Sequence, residues 1–201
     1  MALNKALLVL DMINDIVHEN GSVGQDGFYA EAQARQVVAN TAQAILHSRQ
    51  AGIPVIYVVV GFSPGYPEWS ERSKLFRHVK DRQQVLLGSW ATQVHEALRP
   101  RADEVIITKN SIDPFYNTNL ETVLRAKDID TLYLSGVSTE FVVLTAAMSG
   151  HDRGYRVKVL WDCISSSDSH SHDCAITIIK KVADVCSLKD LNLLNLGEIV
   201  S

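Results

Sequence analysis

The chain has 201 residues, of which 46% are hydrophobic and 21% charged, and its formal net charge is −4 at pH 7. This length fits one domain with a core of its own, which we take to span residues 1–201. The composition excludes a disordered chain, the lack of an apolar run of about 18 residues excludes a membrane protein, and the lack of clustered Lys or Arg argues against a nucleic-acid partner.

The predicted elements alternate between strand and helix. In chain order they are strand 6–10, helix 29–51, strand 54–60, helix 92–98, strand 104–108, helix 120–126, strand 131–136, helix 140–150, strand 156–161, helix 173–181 and a weaker strand 183–186. The strands are continuous apolar runs, which is typical of strands covered on both faces. We therefore predict an α/β fold with an open, doubly wound, six-stranded parallel sheet and helices on both faces.

Two loops are long for a compact domain. Residues 18–28 contain three glycines, and residues 61–89 contain prolines, aromatic residues and charges of both signs. Loops of this kind commonly serve as functional lids or as subunit contacts. The N-terminus enters the first strand without a basic region or a cleavage site, which predicts a cytoplasmic protein.

Polar residues follow three of the predicted strands. Asp11 follows the first strand, Lys109 follows the third, and a turn at 136–140 follows the fourth. The carboxyl ends of parallel strands share one edge of the sheet, where ligands bind if the strand order reverses. A carboxylate facing an ammonium there is either a structural ion pair or an acid–base pair, because burial and the cation push the carboxyl pKa in opposite directions.

These three clusters resemble, in order, the motifs of the isochorismatase-like (cysteine hydrolase) superfamily. Residues 6–17, with Asp11 and Asp15, resemble its first motif. The second and third motifs are matched by Lys109 with Phe115, Thr118 and Leu120, and by Gly136-Val137-Ser138-Thr139-Glu140 with Ala146-Ala147. The resemblance covers the chain from about residue 5 to residue 186 and identifies it as a member of this superfamily.

The resemblance implies a role for each matched position. Asp11 would be the catalytic carboxylate and Lys109 the catalytic cation. A cis peptide bond would join Val137 to Ser138, and backbone N–H groups of this turn and of Val142 would face an oxyanion. Val142 occupies the position of the family's nucleophilic Cys. An isopropyl group cannot form the covalent intermediate of the amidase branch, so we expect water to attack the substrate directly.

Further positions bear on the pocket and on cofactors. The candidates for pocket residues are Ile13, Gly61, Phe62, Trp90, Phe115 and Tyr116. Ile13 and Gly61 replace Gln residues that the resemblance associates with isochorismate hydrolysis, which argues against isochorismate as the substrate. Residues 58–63 lack the Asp and His ligands of nicotinamidase-type members, so neither a metal nor another cofactor is expected.

Other nucleophiles and histidines are disfavoured. The three cysteines are odd in number and lack paired spacing, which predicts buried, reduced thiols, with Cys163 a remote candidate for a substitute nucleophile. Ser138 and Thr139 are expected to form the turn and to cap a helix, because no His in a recognised motif would activate them. His170 and His172 are expected to be solvated at a helix start.

The leading hypothesis is a hydrolase that acts on a small polar or anionic metabolite through Asp11 and Lys109, with direct attack by water. One alternative is a catalytically inactive homologue that binds a small molecule or serves as a scaffold. Another is a Cys-dependent amidohydrolase in which Val142 is an engineered replacement of the nucleophile. The family and the aromatic loop also suggest a homo-oligomer, either a dimer or a tetramer.

Overall fold

The computed structural model describes residues 4–191, and its centre is one parallel sheet. The sheet has six strands in the order β3-β2-β1-β4-β5-β6. All five strand pairs are parallel. The strands are β1 Lys5–Leu10, β2 Val55–Val60, β3 Val105–Lys109, β4 Thr131–Val137, β5 Arg156–Ser165 and β6 Asp184–Cys186. The predicted fold class is confirmed, and β5 extends beyond its predicted end.

Helices flank both faces of the sheet. They are α1 Asn14–Val17, α2 Phe28–Ala34, α3 Val37–Gln50, α4 Leu120–Ala126, α5 Leu144–Asp152 and α6 Ser169–Ile179. A π-helix, Thr139–Val143, leads directly into α5. Short 3-10 turns lie at Gly24–Asp26, Trp90–Thr92 and Glu96–Leu98. Within residues 4–191, the structure has no helix long and apolar enough to cross a bilayer.

Two predicted helices differ from the structure. The helix predicted over 29–51 is divided into α2 and α3, because Gln36 adopts a left-handed conformation with φ 56°. The helix predicted over 92–98 is replaced by two 3-10 turns. Ser89 Oγ accepts a hydrogen bond from the N–H of Ala91, and His95 Nδ1 accepts one from Ala97, so each turn has its own side-chain cap. Local capping therefore prevails over the apolar spacing.

Neighbouring side chains determine where two of the helices begin. Asn119 precedes α4 but makes no side-chain capping bond, and Thr118 Oγ1 accepts the N–H of Leu120 instead. The helix predicted over 173–181 begins at Ser169 instead, because the Asp168 carboxylate accepts the N–H of Ser171 at 2.9 Å. Side-chain acceptors at a helix start satisfy N–H groups that have no partner within the helix.

The hydrophobic core has two parts, one on each face of the sheet. Alternate residues of β1 point to opposite faces, so Leu7 packs in one part and Leu8 in the other. The first part lies beneath α3, which contributes Val37, and the second lies beneath α4, which contributes Leu120. Because β1 is covered on both faces, its continuous apolar sequence is explained by the fold.

Candidate active site

The candidate site lies where the strand order reverses, at the carboxyl ends of β1 and β4. Asp11 directly follows β1, Lys109 ends β3, and Ser138 directly follows β4. Although β2 lies between β1 and β3, Lys109 Nζ reaches Asp11 Oδ2 at 2.8 Å. Both side chains are buried, with 2% of Lys109 and 7% of Asp11 exposed. The structure thus brings together the two charged residues that the strand ends predict.

The Asp11 carboxyl group is held in an unusual environment. Its backbone has φ 52°, a left-handed conformation that Asp adopts more readily than most residues. Burial raises the carboxyl pKa above its usual value, although the charge of Lys109 opposes that rise. Among the described residues, Oδ1 has no hydrogen-bond partner. This oxygen is therefore available to hydrogen-bond a water molecule or a substrate.

Lys109 is fixed by two acceptors. Besides Asp11, its ammonium donates a hydrogen bond to the backbone carbonyl of Ser111 at 2.8 Å. Only the Asp11 acceptor is charged, so the ammonium lies beside a single carboxylate. The arrangement places a positive charge at the same sheet edge as the turn after β4.

Glycine at position 136 is required by the close approach of β4 to β1. Gly136 has φ 128°, and a Cβ built there would lie 2.0 Å from the carbonyl oxygen of Leu10. No side chain fits in that space, so only glycine permits the register that pairs these residues. The next peptide bond, between Val137 and Ser138, is cis. Both Val137 and Ser138 line the same cavity as Asp11.

The π-helix after this turn carries Val142 into the cavity wall. Val142 is 2% exposed and lines the cavity that Ser138 also lines. Thr139 points elsewhere: its hydroxyl is buried and lies 3.0 Å from His172 Nδ1. The expectation of a solvated His172 is therefore wrong. Because α6 begins at Ser169, position 172 falls on its inner face, where burial lowers the imidazole pKa.

The cavity has a volume of about 160 Å³ and mostly apolar walls. This is close to the roughly 150 Å³ of an apolar protein cavity that binds benzene. The two long loops supply much of the wall, through Val23, Asp26 and Phe28 from one loop and Leu75, Phe76, Val79, Gln84 and Val85 from the other. Both loops thus act as lids over the Asp11–Lys109 pair. The polar side chains among the described lining residues are Asp11, Asp26, Gln84, Lys109 and Ser138.

Asp15 ties the two lid loops together. Its Oδ1 accepts the backbone N–H of Ser22 at 2.8 Å, and its Oδ2 accepts that of Val85 at 2.7 Å. The side chain is nearly fully buried. A carboxylate that accepts two backbone hydrogen bonds in this way stabilises both segments at once. The second Asp of the first motif therefore positions the lids rather than lining the cavity.

Three predicted pocket residues near β1 and β2 lie outside the cavity. Ile13 is fully buried in the core and pairs with Val94 in an isolated bridge. Gly61 faces the lid side chain of Leu87, which a Cβ at position 61 would approach to 2.4 Å. Phe62 packs against the ring of Phe76 at 5.5 Å and lines a separate cavity. Residues of the lid loop therefore occupy the space beside Gly61 and Phe62.

The three other predicted pocket residues are also placed elsewhere. Trp90 is 44% exposed and makes an edge-on contact with the ring of His18 at 5.0 Å. Phe115 stacks on Tyr155 in the core beneath α4 and α5. Tyr116 is exposed on the surface. None of these three residues is among the described residues that line the cavity with Asp11.

Sequence reasoning missed the residues that line the cavity from the loops. The length of the two loops and their apolar residues were the available signal, and they identified lids without identifying which side chains face inward. Gln84 is the clearest case, because it is a buried polar residue between exposed Gln83 and buried Val85. Only the folded lid distinguishes these neighbours.

None of the three cysteines is among the described residues that line the cavity. Cys163 is fully buried in the core part that contains Val37, and burial raises the pKa of its thiol far above the usual range. Cys186 is half-buried, and burial raises its pKa to about 11. Cys174 is exposed on α6, so the expectation of three buried thiols is wrong for this residue. All three are free thiols.

The described part of the chain contains no group of three or more His, Cys, Asp or Glu side chains arranged to hold a metal ion. Within the described residues, the charged partner of Asp11 is therefore Lys109.

Comparison with known proteins places the chain in a family. Residues 5–190 match the isochorismatase domain. The chain is 33% identical over 168 residues to ureidoacrylate amidohydrolase RutB of Methylorubrum extorquens, covering 78% of this chain and 67% of that protein. It is 30% identical over 200 residues to the enzyme of the same name from Methylobacterium radiotolerans, covering 91% and 77%.

Solved structures have the same fold. A cysteine hydrolase from Pseudomonas syringae pv. phaseolicola superposes with a TM-score of 0.84 at 23% identity, covering 96% of this chain and 93% of that chain. N-carbamoylsarcosine amidase from Thermoplasma acidophilum superposes with a TM-score of 0.72 at 26% identity, covering 92% and 97%. The domain match, the curated relatives and the shared fold agree, and the chain belongs to the isochorismatase family of hydrolases.

Proposed function

We propose that this protein hydrolyses a carbon–nitrogen bond in a small metabolite, with Asp11 transferring protons and water attacking directly. The observation that carries the proposal is the 2.8 Å contact between Asp11 and Lys109 in the wall of a ligand-sized cavity. The similarity to proteins named amidohydrolases and amidases supports carbon–nitrogen hydrolysis over other hydrolytic reactions.

The proposed reaction needs a group that first accepts and then donates a proton. Ionised Asp11 takes a proton from a water molecule while the oxygen of that water bonds to the carbonyl carbon of the substrate. The π electrons of the carbonyl bond move onto the carbonyl oxygen. Asp11 then delivers the proton to the leaving nitrogen as the C–N bond breaks, which yields a carboxylic or carbamic acid and an amine. Backbone N–H groups around Ser138 and Val142 are proposed to hold the oxyanion, and Lys109 compensates the negative charge.

The raised pKa of Asp11 suits both halves of this cycle. A carboxyl group with an ordinary pKa is a weak base toward water and seldom carries a proton near neutral pH. Burial brings the pKa closer to the working pH, and Lys109 keeps the ionised form accessible. The apolar walls of the cavity also exclude bulk water, which strengthens both interactions.

The proposed reaction does not use a thiol. Val142 lines the cavity at the position where the family resemblance expects the nucleophilic Cys. No Cys is among the described lining residues, and exposed Cys174 lies on α6. We therefore expect that alkylation of accessible thiols with iodoacetamide leaves turnover unchanged.

The test is a screen of amides and ureides, followed by release of ammonia or amine, with two matched variants. Asp11→Asn removes the proton carrier and is expected to lower kcat by at least about 100-fold. Asp103→Asn makes the same chemical change at an exposed position before β3, at the opposite edge of the sheet, and is expected to leave kcat unchanged. Equal rates in the native protein and Asp11→Asn would remove the mechanism.

Val142 also favours a second candidate, a homologue that binds a small molecule without converting it. In that case a ligand recovered after long incubation would be chemically unaltered. The variant Val142→Cys separates this candidate from an amidohydrolase with a replaced nucleophile. If the variant gains amidase activity that iodoacetamide abolishes, the native scaffold is that of a thiol enzyme.

A further inference from the structure

Gln84 is a buried polar side chain that the mechanism above does not use. It is 6% exposed, and it lines the same cavity as Asp11 and Lys109. It belongs to the lid loop, so it approaches the cavity from a different element than the residues at the sheet edge.

The backbone around Gln84 is firmly held. Its N–H donates to the carbonyl of Val79 at 2.9 Å, and its carbonyl accepts the hydroxyl of Tyr66 at 3.0 Å. The next residue, Val85, is held by Asp15 even though a β-branched residue at φ 44° is strained. These hydrogen bonds hold the Gln84 backbone in place despite the backbone strain at Val85.

The side-chain amide of Gln84, in contrast, has no hydrogen-bond partner among the described residues. Its amide atoms are not sealed from solvent, so they face accessible space, and the cavity that Gln84 lines has mostly apolar walls. A rigid segment that presents an unpaired amide to a cavity is arranged to bind a ligand group there.

The charges of the cavity indicate which kind of group. The charges of Asp11 and Lys109 compensate each other, and Asp26 adds a further carboxylate. Arg82 lies 3.7 Å from Asp26, but both side chains are more than half exposed, so solvent screens that pair. No described lining residue offers an unpaired cation to a carboxylate. A neutral group is favoured over an anion on this side of the cavity.

From this geometry we propose that Gln84 determines substrate specificity. Its side-chain amide forms a hydrogen bond with a neutral polar group at the non-reacting end of a substrate whose body is mainly apolar. The assignment of the reacting end rests on the proposed hydrolase function. Of the polar or anionic metabolites expected from the sequence, the inference favours a polar one, because it predicts that a carboxylate at this end weakens binding.

The experiment uses three aromatic amides of matched shape: terephthalamide, 4-carbamoylbenzoate and 4-methylbenzamide. All three share a carboxamide, and the group opposite it on the ring is a second carboxamide, a carboxylate or a methyl group, respectively. Dissociation constants are measured by calorimetry for the native protein, Gln84→Met and Gln83→Met. The two variants make the same change at adjacent lid positions, one buried in the cavity wall and one exposed. Thermal unfolding verifies that both variants fold.

We expect the native protein and Gln83→Met to bind terephthalamide about three- to tenfold more tightly than the other two compounds, as one hydrogen bond provides. In Gln84→Met, terephthalamide and 4-methylbenzamide are expected to bind equally. Retained discrimination in Gln84→Met, a native preference for 4-carbamoylbenzoate, or no binding of terephthalamide to the native protein would overturn the inference. Ammonia release is measured separately, so binding with discrimination but without turnover refutes the hydrolase and leaves the role of Gln84 intact.

Discussion

Removal of the cation from the buried Asp11–Lys109 pair has a large predicted cost. In Lys109→Met, the side chain keeps its approximate length but leaves the Asp11 carboxylate buried without its partner. Both groups are at least nine-tenths buried, so water cannot replace the lost charge. Breaking such a pair costs about 3 to 5 kcal/mol, which corresponds to a fall in Tm of about 6 to 20 °C for a chain of this size.

The loss is predicted to depend on pH. Without the ammonium, burial raises the Asp11 pKa further above its value in the unfolded chain. A carboxyl group with a raised folded-state pKa binds more protons when folded, so its contribution to stability is fully present below the unfolded pKa and is lost as pH rises through the folded pKa. Lys109→Met is therefore expected to be most destabilised at pH 8 and least destabilised near pH 4.

The assay is urea denaturation of the native protein and the variant at pH 4, 6 and 8. Lys158→Met is the matched control, because Lys158 pairs with Asp184, whose side chain is 75% exposed. A pair of this kind contributes about 0 to 1 kcal/mol. Equal losses in the two variants, or a loss in Lys109→Met that does not grow with pH, would refute the reasoning. Adding Asp11→Asn to Lys109→Met is expected to recover part of the stability.

Three further predictions concern the lids, the strand approach and the pH profile. Asp15→Ala leaves the backbone N–H groups of exposed Ser22 and buried Val85 without their acceptor, so hydrogen exchange at Val85 is expected to accelerate, and unchanged protection would contradict the proposed anchor. Gly136→Ala is expected to destabilise the protein by about 3 kcal/mol or more in urea denaturation, whereas Gly65→Ala, also at positive φ but with no atom within 4 Å, is expected to cost less; equal costs would exclude the clash. If Asp11 is the base, kcat/KM is expected to fall with decreasing pH through a pKa above 3.8, the usual value for Asp, and a midpoint at or below 3.8 would contradict its raised pKa.

The strands were predictable because their signal is local. Most of the six runs are continuous apolar segments, those of β2 and β3 are rich in β-branched residues, and the central strand β1 is buried on both faces, as its continuous pattern predicts. The helix boundaries were less predictable where a single residue decided them. Gln36 divides one predicted helix by its left-handed conformation, and the Ser89 and His95 caps replace another by two short turns.

The site shows the same division between local and tertiary information. Asp11 and Lys109 were found from their places at strand ends, because the ends of parallel strands share one edge. The residues that line the cavity were not predictable from the sequence, because the direction of a loop side chain depends on how the loop packs. Trp90 and Tyr116 turn to the surface, and Gln84 turns inward from the loop that follows β2.

The amino-acid sequence by itself determined the parallel α/β fold and the acid and the cation at its edge. These features depend on hydrophobic period and on chain order, which are properties of the sequence. Only the tertiary structure decided that the ammonium of Lys109 crosses β2 to reach Asp11, that Asp15 joins the lids, and that Gln84 faces the cavity. Those contacts join residues far apart in the chain, and their formation depends on how the loops pack over the finished sheet.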